Sequence, residues 1–580
     1  MNNALLIHDP SLGRWLAFEH PVQILTTSHP DEVLPLLREV EAAVNAEKLY
    51  AAGFISYEAA PAFDPALSVH PDPSGFPLLW FGLYPGPTPW TPGTTPPPAS
   101  SDPPLHWIPS LSRSDYAEVI ARIRNYLFSG ETYQVNYTFR LSSPFRQDPL
   151  PLFETLVQAQ GAHYSAFLDT ADFALCSASP ELFFRLNGTH LESRPMKGTM
   201  KRGVTTREDE LQAQKLRESP KNQAENVMIV DMVRNDMGRV SEKGEVRVDQ
   251  LFKVERYPTV WQMVSTVSAR TRASLCDIFS ALFPCASITG APKPRTMALI
   301  AREERAPRRI YTGTIGYMAP DRQAQFNVAI RTVLIDKAHG GAEYGVGGGI
   351  VWDSVSGDEY DECETKAKVL CDPPVEFQLL ETMLWTPEEG LFLKDRHVDR
   401  LADSAHYFDF TFSLEKIRSE LDALTFARPT RVRLLMSRSG IVTLESVPFE
   451  PDPATRLTTL RLAQHPVDVA DRFLYHKTTC RQVYEAARQG VTDGDDVLLW
   501  NAAGELTEST IANLVVELDG ELLTPPVCSG LLAGTFRAEL LAQGTIKERV
   551  IHRADLPRIR TFFLINSLRK WREARVLTAP

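Results

Sequence analysis

The stretch Ser193-Arg-Pro-Met-Lys-Gly-Thr199 sets one lysine directly before a glycine, following the strand-like run Ala178-Ser-Pro-Glu-Leu-Phe-Phe-Arg-Leu-Asn-Gly188. Gly198 removes a side chain next to Lys197, so backbone and ligand can approach each other closely in the loop expected there. A lysine in such a loop is by default a solvated surface charge. Its companions along the chain decide otherwise. They are Tyr133-Gln-Val-Asn136, Ala224-Glu-Asn-Val-Met-Ile-Val-Asp-Met-Val-Arg-Asn-Asp236, Ser287-Ile-Thr-Gly-Ala-Pro-Lys293 and Gly345-Val-Gly-Gly-Gly-Ile350.

A chain of 580 residues exceeds what one hydrophobic core supports and predicts two to four domains. With 43% apolar and 23% charged residues it has the composition of a folded protein. A net charge of −12 leaves no footprint for nucleic acid or an anionic membrane, so an anionic ligand requires a local cluster of Arg, Lys or metal. The seven cysteines form no CxxC pair and no metal-ligand spacing, which predicts reduced thiols and a cytoplasmic protein. The N-terminus lacks a basic start and long apolar core, and no apolar run reaches the roughly 18 residues of a membrane helix.

Prolines crowd Tyr84 to Ala99 and predict an extended connector over about 84–104. A sharper break falls at Cys371-Asp-Pro-Pro-Val375, where the helix-like Glu362 to Leu370 stops. It divides the chain into regions 1–371 and 376–580. Within the first, Asp115 to Ser129 and Pro294 to Glu304 read as helices and Phe326 to Ile335 as a strand, so the fold class is α+β.

With Gly53-Phe-Ile-Ser-Tyr-Glu-Ala59, the ordered motifs of the first region resemble the chorismate-utilising enzymes. The lysine resembles the aminodeoxychorismate synthase component I branch; the anthranilate synthase branch typically carries alanine there. The resemblance implies two large packed sheets flanked by helices. It also implies Mg²⁺, which binds through one or two protein carboxylates while keeping waters and substrate oxygens. Glu225 and Glu362 are the implied direct ligands and Glu359 a water-mediated one; Asn222 stands where relatives often have another acid. Arg331 matches an arginine that holds a substrate carboxylate bidentately. Tyr311, Thr289, Lys293 and the backbone of Gly347, Gly348 and Gly349 complete the implied substrate contacts. Lys197 is the implied nucleophile at ring C2, followed by ammonia attack at C4, and burial would supply its neutral amine. Gln262 replaces a histidine that anthranilate synthases link to pyruvate loss. No cysteine sits in a GxCxG context, so a separate glutamine amidotransferase is the expected ammonia source.

The second region carries Phe377-Gln-Leu-Leu-Glu-Thr382, His397-Val-Asp-Arg-Leu401, Tyr475-His-Lys477, Leu506-Thr-Glu-Ser-Thr-Ile-Ala-Asn513 and Thr524-Pro-Pro-Val-Cys-Ser-Gly-Leu-Leu-Ala-Gly-Thr-Phe-Arg537. These resemble the fold-type IV pyridoxal-phosphate enzymes, which include aminodeoxychorismate lyase and two kinds of aminotransferase. The resemblance implies that Lys477 binds the cofactor and moves a proton, and that Glu508 pairs with the pyridine nitrogen. Arg400, the N–H groups of Gly534 and Thr535, and Ser567 would hold the phosphate, and Thr382 would donate a proton. A homodimer through this region is expected. Joining the two regions in one chain favours elimination of pyruvate to 4-aminobenzoate, with two alternatives: a fused aminotransferase, or a silent subunit that only docks a glutaminase.

Overall fold

A computed structural model describes residues 3–93, 105–161, 163–370, 375–450, 456–491 and 494–577. It divides into two compact units, Met1–Lys201 with Ala213–Pro374, and Val375–Pro580 with Arg202–Gln212.

Among the described residues the first unit holds two ten-stranded sheets. Leu5, Ile7, Leu168 and Leu175 from one sheet meet Phe54, Trp80 and Ile315 from the other in a shared buried cluster, each worth about 1.5–3 kcal/mol of burial. Helices cover the outer faces. Pro30–Ala46, Pro220–Gly238 and Leu275–Leu282 place Val33, Leu37, Ile229, Val233 and Phe279 on the sheet that contains Phe184 and Phe326. Arg113–Phe128, Pro149–Gln160 and Ser356–Ala367 do the same for the other sheet through Ile120, Phe153 and Tyr360. Ser112, Asp148 and Ser219 each cap a helix by accepting a backbone N–H, which fixes where these helices start.

Three local expectations change. Phe326 to Ile335 is not one strand: Gln323–Asn327 belongs to one sheet and Thr332–Asp336 to the other. The chain crosses between them at Arg331, whose φ of +51° breaks the extended run. Lys197 lies in a strand, Met196–Lys201, instead of a loop, but the register with Val260–Arg270 shifts between Met196 and Thr199 and frees Lys197 and Gly198 from regular pairing. Of the proline-rich connector, Tyr84 ends a strand and Thr88–Trp90 pairs with Arg14–Phe18; residues 94–104, like 371–374 at the regional break, lie outside the described residues.

A buried ion pair ties the two sheets together. Arg308 donates to Glu304 at 2.6 and 3.0 Å, to the carbonyl of Ile288 at 2.9 Å and to that of Asn136 at 2.7 Å. Glu304 also accepts the N–H and hydroxyl of Thr138. Glu58, just beyond the strand Tyr50–Ile55 of the opposite sheet, accepts the N–H groups of Arg308 and Arg309 at 2.6 and 2.7 Å.

The second unit contains a four-stranded antiparallel sheet in which Leu379–Thr386 and Thr430–Met436 are central neighbours. One face packs on helices Lys394–Phe408 and Leu414–Asp422 through Val432, Leu434, Leu401 and Ile417. An eight-stranded mixed sheet follows, with helix Thr535–Ala542 packed on it through Phe536 and Ile565. This unit also takes in Arg202–Gln212, which the sequence reading leaves in the first region. Arg202 donates to Tyr407 O at 2.9 Å with its guanidinium 4.6 Å from the Tyr407 ring, and Tyr407 donates to Gly203 O at 2.7 Å. Among the described residues no helix is long and apolar enough to cross a membrane.

Arg308→Ala removes the hydrogen-bonded cation of the buried Glu304 carboxylate and leaves it only Arg140 at 4.0 Å, which costs up to about 3–5 kcal/mol. Thermal unfolding is expected to show an early transition for the first unit, with the second unit's transition in place. An unshifted first transition would show that the pair does not hold the sheets.

Candidate active sites

In the first unit, Lys197 opens onto a cavity of about 190 Å³. Gly198 has φ +100°, which favours glycine, and a Cβ there would press on Asn222. The Lys197 ammonium rests against Gly349, where a Cβ would overlap both it and the Gln134 amide. Burial lowers the Lys197 pKa, opposed in part by Glu225 and reinforced by Lys366. The amine is thereby moved towards its neutral, nucleophilic form.

Glu225 on helix Pro220–Gly238 and Glu359 and Glu362 on helix Ser356–Ala367 line the same cavity. Their oxygen-only chemistry fits Mg²⁺. In the present arrangement they do not close into a ligand cluster, and no group of three His, Cys, Asp or Glu among the described residues is near enough to hold a metal. Glu362 accepts from Lys366 at 2.9 Å and Glu359 from Ser354 at 2.7 Å. Burial raises the Glu359 pKa, and Lys366 beside it lowers that of Glu362.

Arg331, Tyr311 and Gly347 to Gly349 also line this cavity. The Arg331 side chain donates to the neutral amide of Gln160 and has no carboxylate partner among the described residues. Burial pulls its pKa down, so an arriving carboxylate would meet an uncompensated cation. The Tyr311 ring lies flat on Gly345. Two of the expected substrate contacts lie away from the lining of this cavity. Lys293 pairs with Asp236 at 2.8 Å in a separate cavity beside Arg239 and Phe283, so its charge is already compensated. Thr289 is fully buried and turns its hydroxyl to the carbonyls of Cys285 and Ala286, behind the lining residues Ser287 and Ile288.

Two lining residues escaped the sequence reading although quoted segments held the signal. Glu181, of Ala178-Ser-Pro-Glu, is 2% exposed, accepts from Ser287 at 2.7 Å, and burial pushes its pKa up to about 7 against the pull of Ser287 and Lys197. Lys366, one turn past Glu362, donates to Gly347 O at 2.8 Å; although burial opposes its charge, Glu362 holds its pKa above the usual value.

In the second unit, Lys477, Thr382, Arg400, Glu508, Gly534, Thr535 and Ser567 line one cavity of about 560 Å³. Burial, with Arg400 nearby, lowers the Lys477 pKa to about 8. Glu508 accepts from Tyr484 and the Asn513 amide at 2.9 Å and from the Leu532 N–H at 3.1 Å, and burial raises its pKa to about 7. Gly534 caps helix Thr535–Ala542, whose first N–H groups have no partner within the helix. A desolvated amine, a buried carboxyl and a helix N-terminus beside an arginine fit pyridoxal phosphate. Glu381 and His397, also present in quoted motifs, set this arginine. Glu381 accepts twice from Arg400, at 2.8 and 2.6 Å, and pairs with His397 at 2.6 Å; His397 in turn meets the Thr535 hydroxyl at 3.2 Å. Burial opposes the Glu381 charge, yet Arg400 and His397 outweigh it and bring the pKa to about 2.

The profile of the chorismate-binding enzymes matches residues 2–372, and the chain belongs to that family. The amino-transferase class IV profile matches residues 378–577, a fold-type IV pyridoxal-phosphate domain. Aminodeoxychorismate synthase component 1 of Klebsiella aerogenes is 43% identical over 258 residues, 44% of this chain and 57% of that protein. Anthranilate synthase component 1 3 of Haloarcula marismortui is 41% identical over 259 residues, 44% of this chain and 51% of that protein. The matched part of the chain thus spans a little over half the length of these two relatives. The crystal structure of anthranilate synthase component I from Streptococcus pneumoniae superposes on 64% of this chain and 93% of its own with a TM-score of 0.54 at 22% identity, a likeness of fold.

Glu381→Ala removes the acceptor that orients Arg400 and His397. Losing a charged hydrogen bond costs about 1.5–3 kcal/mol, so cofactor affinity is expected to fall roughly tenfold to a hundredfold. Titration of the apoprotein with pyridoxal phosphate measures this by visible absorbance; unchanged affinity would remove Glu381 from the phosphate-holding network.

Proposed function

We propose that the chain converts chorismate and ammonia to 4-amino-4-deoxychorismate at the Lys197 cavity, then eliminates pyruvate from it at the Lys477 cavity to give 4-aminobenzoate. The observation that carries the first step is the desolvated Lys197 amine, set against Gly349 in one cavity with four carboxyl groups and an arginine that has no acidic partner among the described residues. Lys197 attacks ring C2, the ring double bonds shift, and the C4 hydroxyl leaves as water with a proton from Glu181. Ammonia then bonds to C4, the double bonds shift back, and the C2–N bond to Lys197 breaks. Arg331 and the N–H groups of Gly347 to Gly349 bind one substrate carboxylate. Glu225 and Glu362, with Glu359 through water, would hold Mg²⁺, which would neutralise charge on the other carboxylate. A partner glutamine amidotransferase would supply the ammonia, in keeping with the component 1 naming of the relatives.

In the second cavity, pyridoxal phosphate supplies an electron sink when bound. Lys477, with a pKa of about 8, takes the proton from C4 of the ring as the ring C3–O bond breaks and the ring becomes aromatic, and the departing enolpyruvate takes a proton from Thr382 at its methylene carbon to leave as pyruvate. Glu508 holds the pyridine nitrogen. Arg400, Ser567 and the N–H groups of Gly534 and Thr535 hold the phosphate. The class IV profile also supports a second reading, in which this region is an aminotransferase.

Purified chain given chorismate, Mg²⁺, ammonium and no keto acid is expected to release pyruvate and 4-aminobenzoate. Product that appears only with an added amino acceptor makes the second region a transaminase. Lys197→Ala is expected to lose the first reaction while still converting supplied aminodeoxychorismate, and wild-type chorismate turnover in it would sink the nucleophile role. The Glu181 acid form, with a pKa of about 7, is depleted as pH rises, so the first reaction is expected to slow above about pH 7. Glu181→Gln should abolish that limb along with most activity; an alkaline limb that persists in Glu181→Gln assigns the proton to another group.

A further inference from the structure

The second cavity is cationic beyond what its cofactor needs. Seven basic side chains line it against two carboxylates, in a chain whose net charge is −12. Arg400 is committed to Glu381, Arg481 donates to Thr510 O, and Arg488 donates to Asp495 O at 2.9 Å. Arg431 and Arg433 are different. Both stand on strand Thr430–Met436, whose alternate residues Val432 and Leu434 face the core, so the two guanidinium groups leave the same face of the sheet on the cavity side. Arg433 is the direct cross-strand neighbour of Thr382. Its only acidic contact among the described residues is Glu445 at 3.6 Å, with both side chains 40–50% exposed, a pairing worth little. The Arg431 guanidinium has no ion pair or hydrogen bond among the described residues.

We propose that Arg431 and Arg433 form a double carboxylate clamp that selects a dicarboxylate substrate for the Lys477 cavity. Residues two apart on a strand are spaced about 7 Å along it. Two guanidinium forks at that spacing suit two carboxylates carried at separate positions of one small ring, whereas an ordinary amino acid with one carboxylate would leave one fork unused. The clamp lies on the Thr382 wall, while the phosphate-holding set is built from Arg400, Ser567 and the helix that Gly534 caps. The proposal deepens the pyruvate-eliminating reading given above and rests on it for the identity of the natural substrate.

The test uses the full chain saturated with pyridoxal phosphate and two probes, isophthalate and benzoate, with binding read by calorimetry. Isophthalate is expected to bind at least about tenfold more tightly than benzoate, and Arg431→Ala/Arg433→Ala to cut that preference to within about threefold. The double variant should keep the visible cofactor absorbance, which establishes folding and separates the clamp from the phosphate site. Arg431→Lys/Arg433→Lys, which keeps charge and loses the forks, should fall between. With aminodeoxychorismate, KM is expected to rise by about tenfold or more in the alanine variant while kcat changes by less than about threefold. No preference for isophthalate in the wild type, an unchanged preference in the alanine variant, or loss of cofactor from it would each overturn the clamp. Wild type that prefers isophthalate but releases no pyruvate from aminodeoxychorismate would keep the clamp and overturn the reaction.

Discussion

The buried Arg308–Glu304 pair is the constraint on which the first unit depends. An arginine 1% exposed is tolerable only if every donor finds an acceptor. Here the acceptors are Glu304, Ile288 O and Asn136 O, while Glu58 takes backbone N–H groups on the same turn. Asn136 and Ile288 line the Lys197 cavity, and Glu58 follows a strand of the opposite sheet. Desolvation thus forces a single arrangement of the two sheets, and the cavity inherits its geometry.

Both sites use burial to set protonation, with opposite needs served by the same physics. Loss of water moves Lys197 and Lys477 towards neutral amines and Glu181 and Glu508 towards neutral acids. Glu381 shows the contrary case: it is as deeply buried, yet Arg400 and His397 keep it ionised. A partner at hydrogen-bond distance therefore decides whether a buried carboxyl can carry a proton or must hold a cation in place.

Much of the lining of the two candidate cavities was legible because its residues fall in short ordered segments. Lys197, the two glutamates of helix Ser356–Ala367, Lys477 and Glu508 could be picked out before any fold was known. Glu181, Lys366, Glu381 and His397 sat inside or beside those segments and were passed over, since nothing in a residue type says whether it is buried next to a lysine or solvated. Lys293 stands apart from the cavity that its segment helps to line. Its segment was informative, but its ammonium found Asp236, a residue 57 positions away, in a cavity of its own.

Alone, the sequence determined the two-region organisation, the α+β class and the chemical inventory of each region, because these follow from composition, local periodicity and the order of short motifs. The tertiary structure decided what those motifs do not encode. It split Gln323–Asp336 between two sheets at Arg331, since a left-handed residue there redirects the chain. It moved Arg202–Gln212 into the second unit, because Tyr407 meets the polar groups of that segment. It also set protonation states and left Arg431 without an ion pair among the described residues at a cavity wall, since charge pairing and desolvation depend on neighbours that the fold brings from distant parts of the chain.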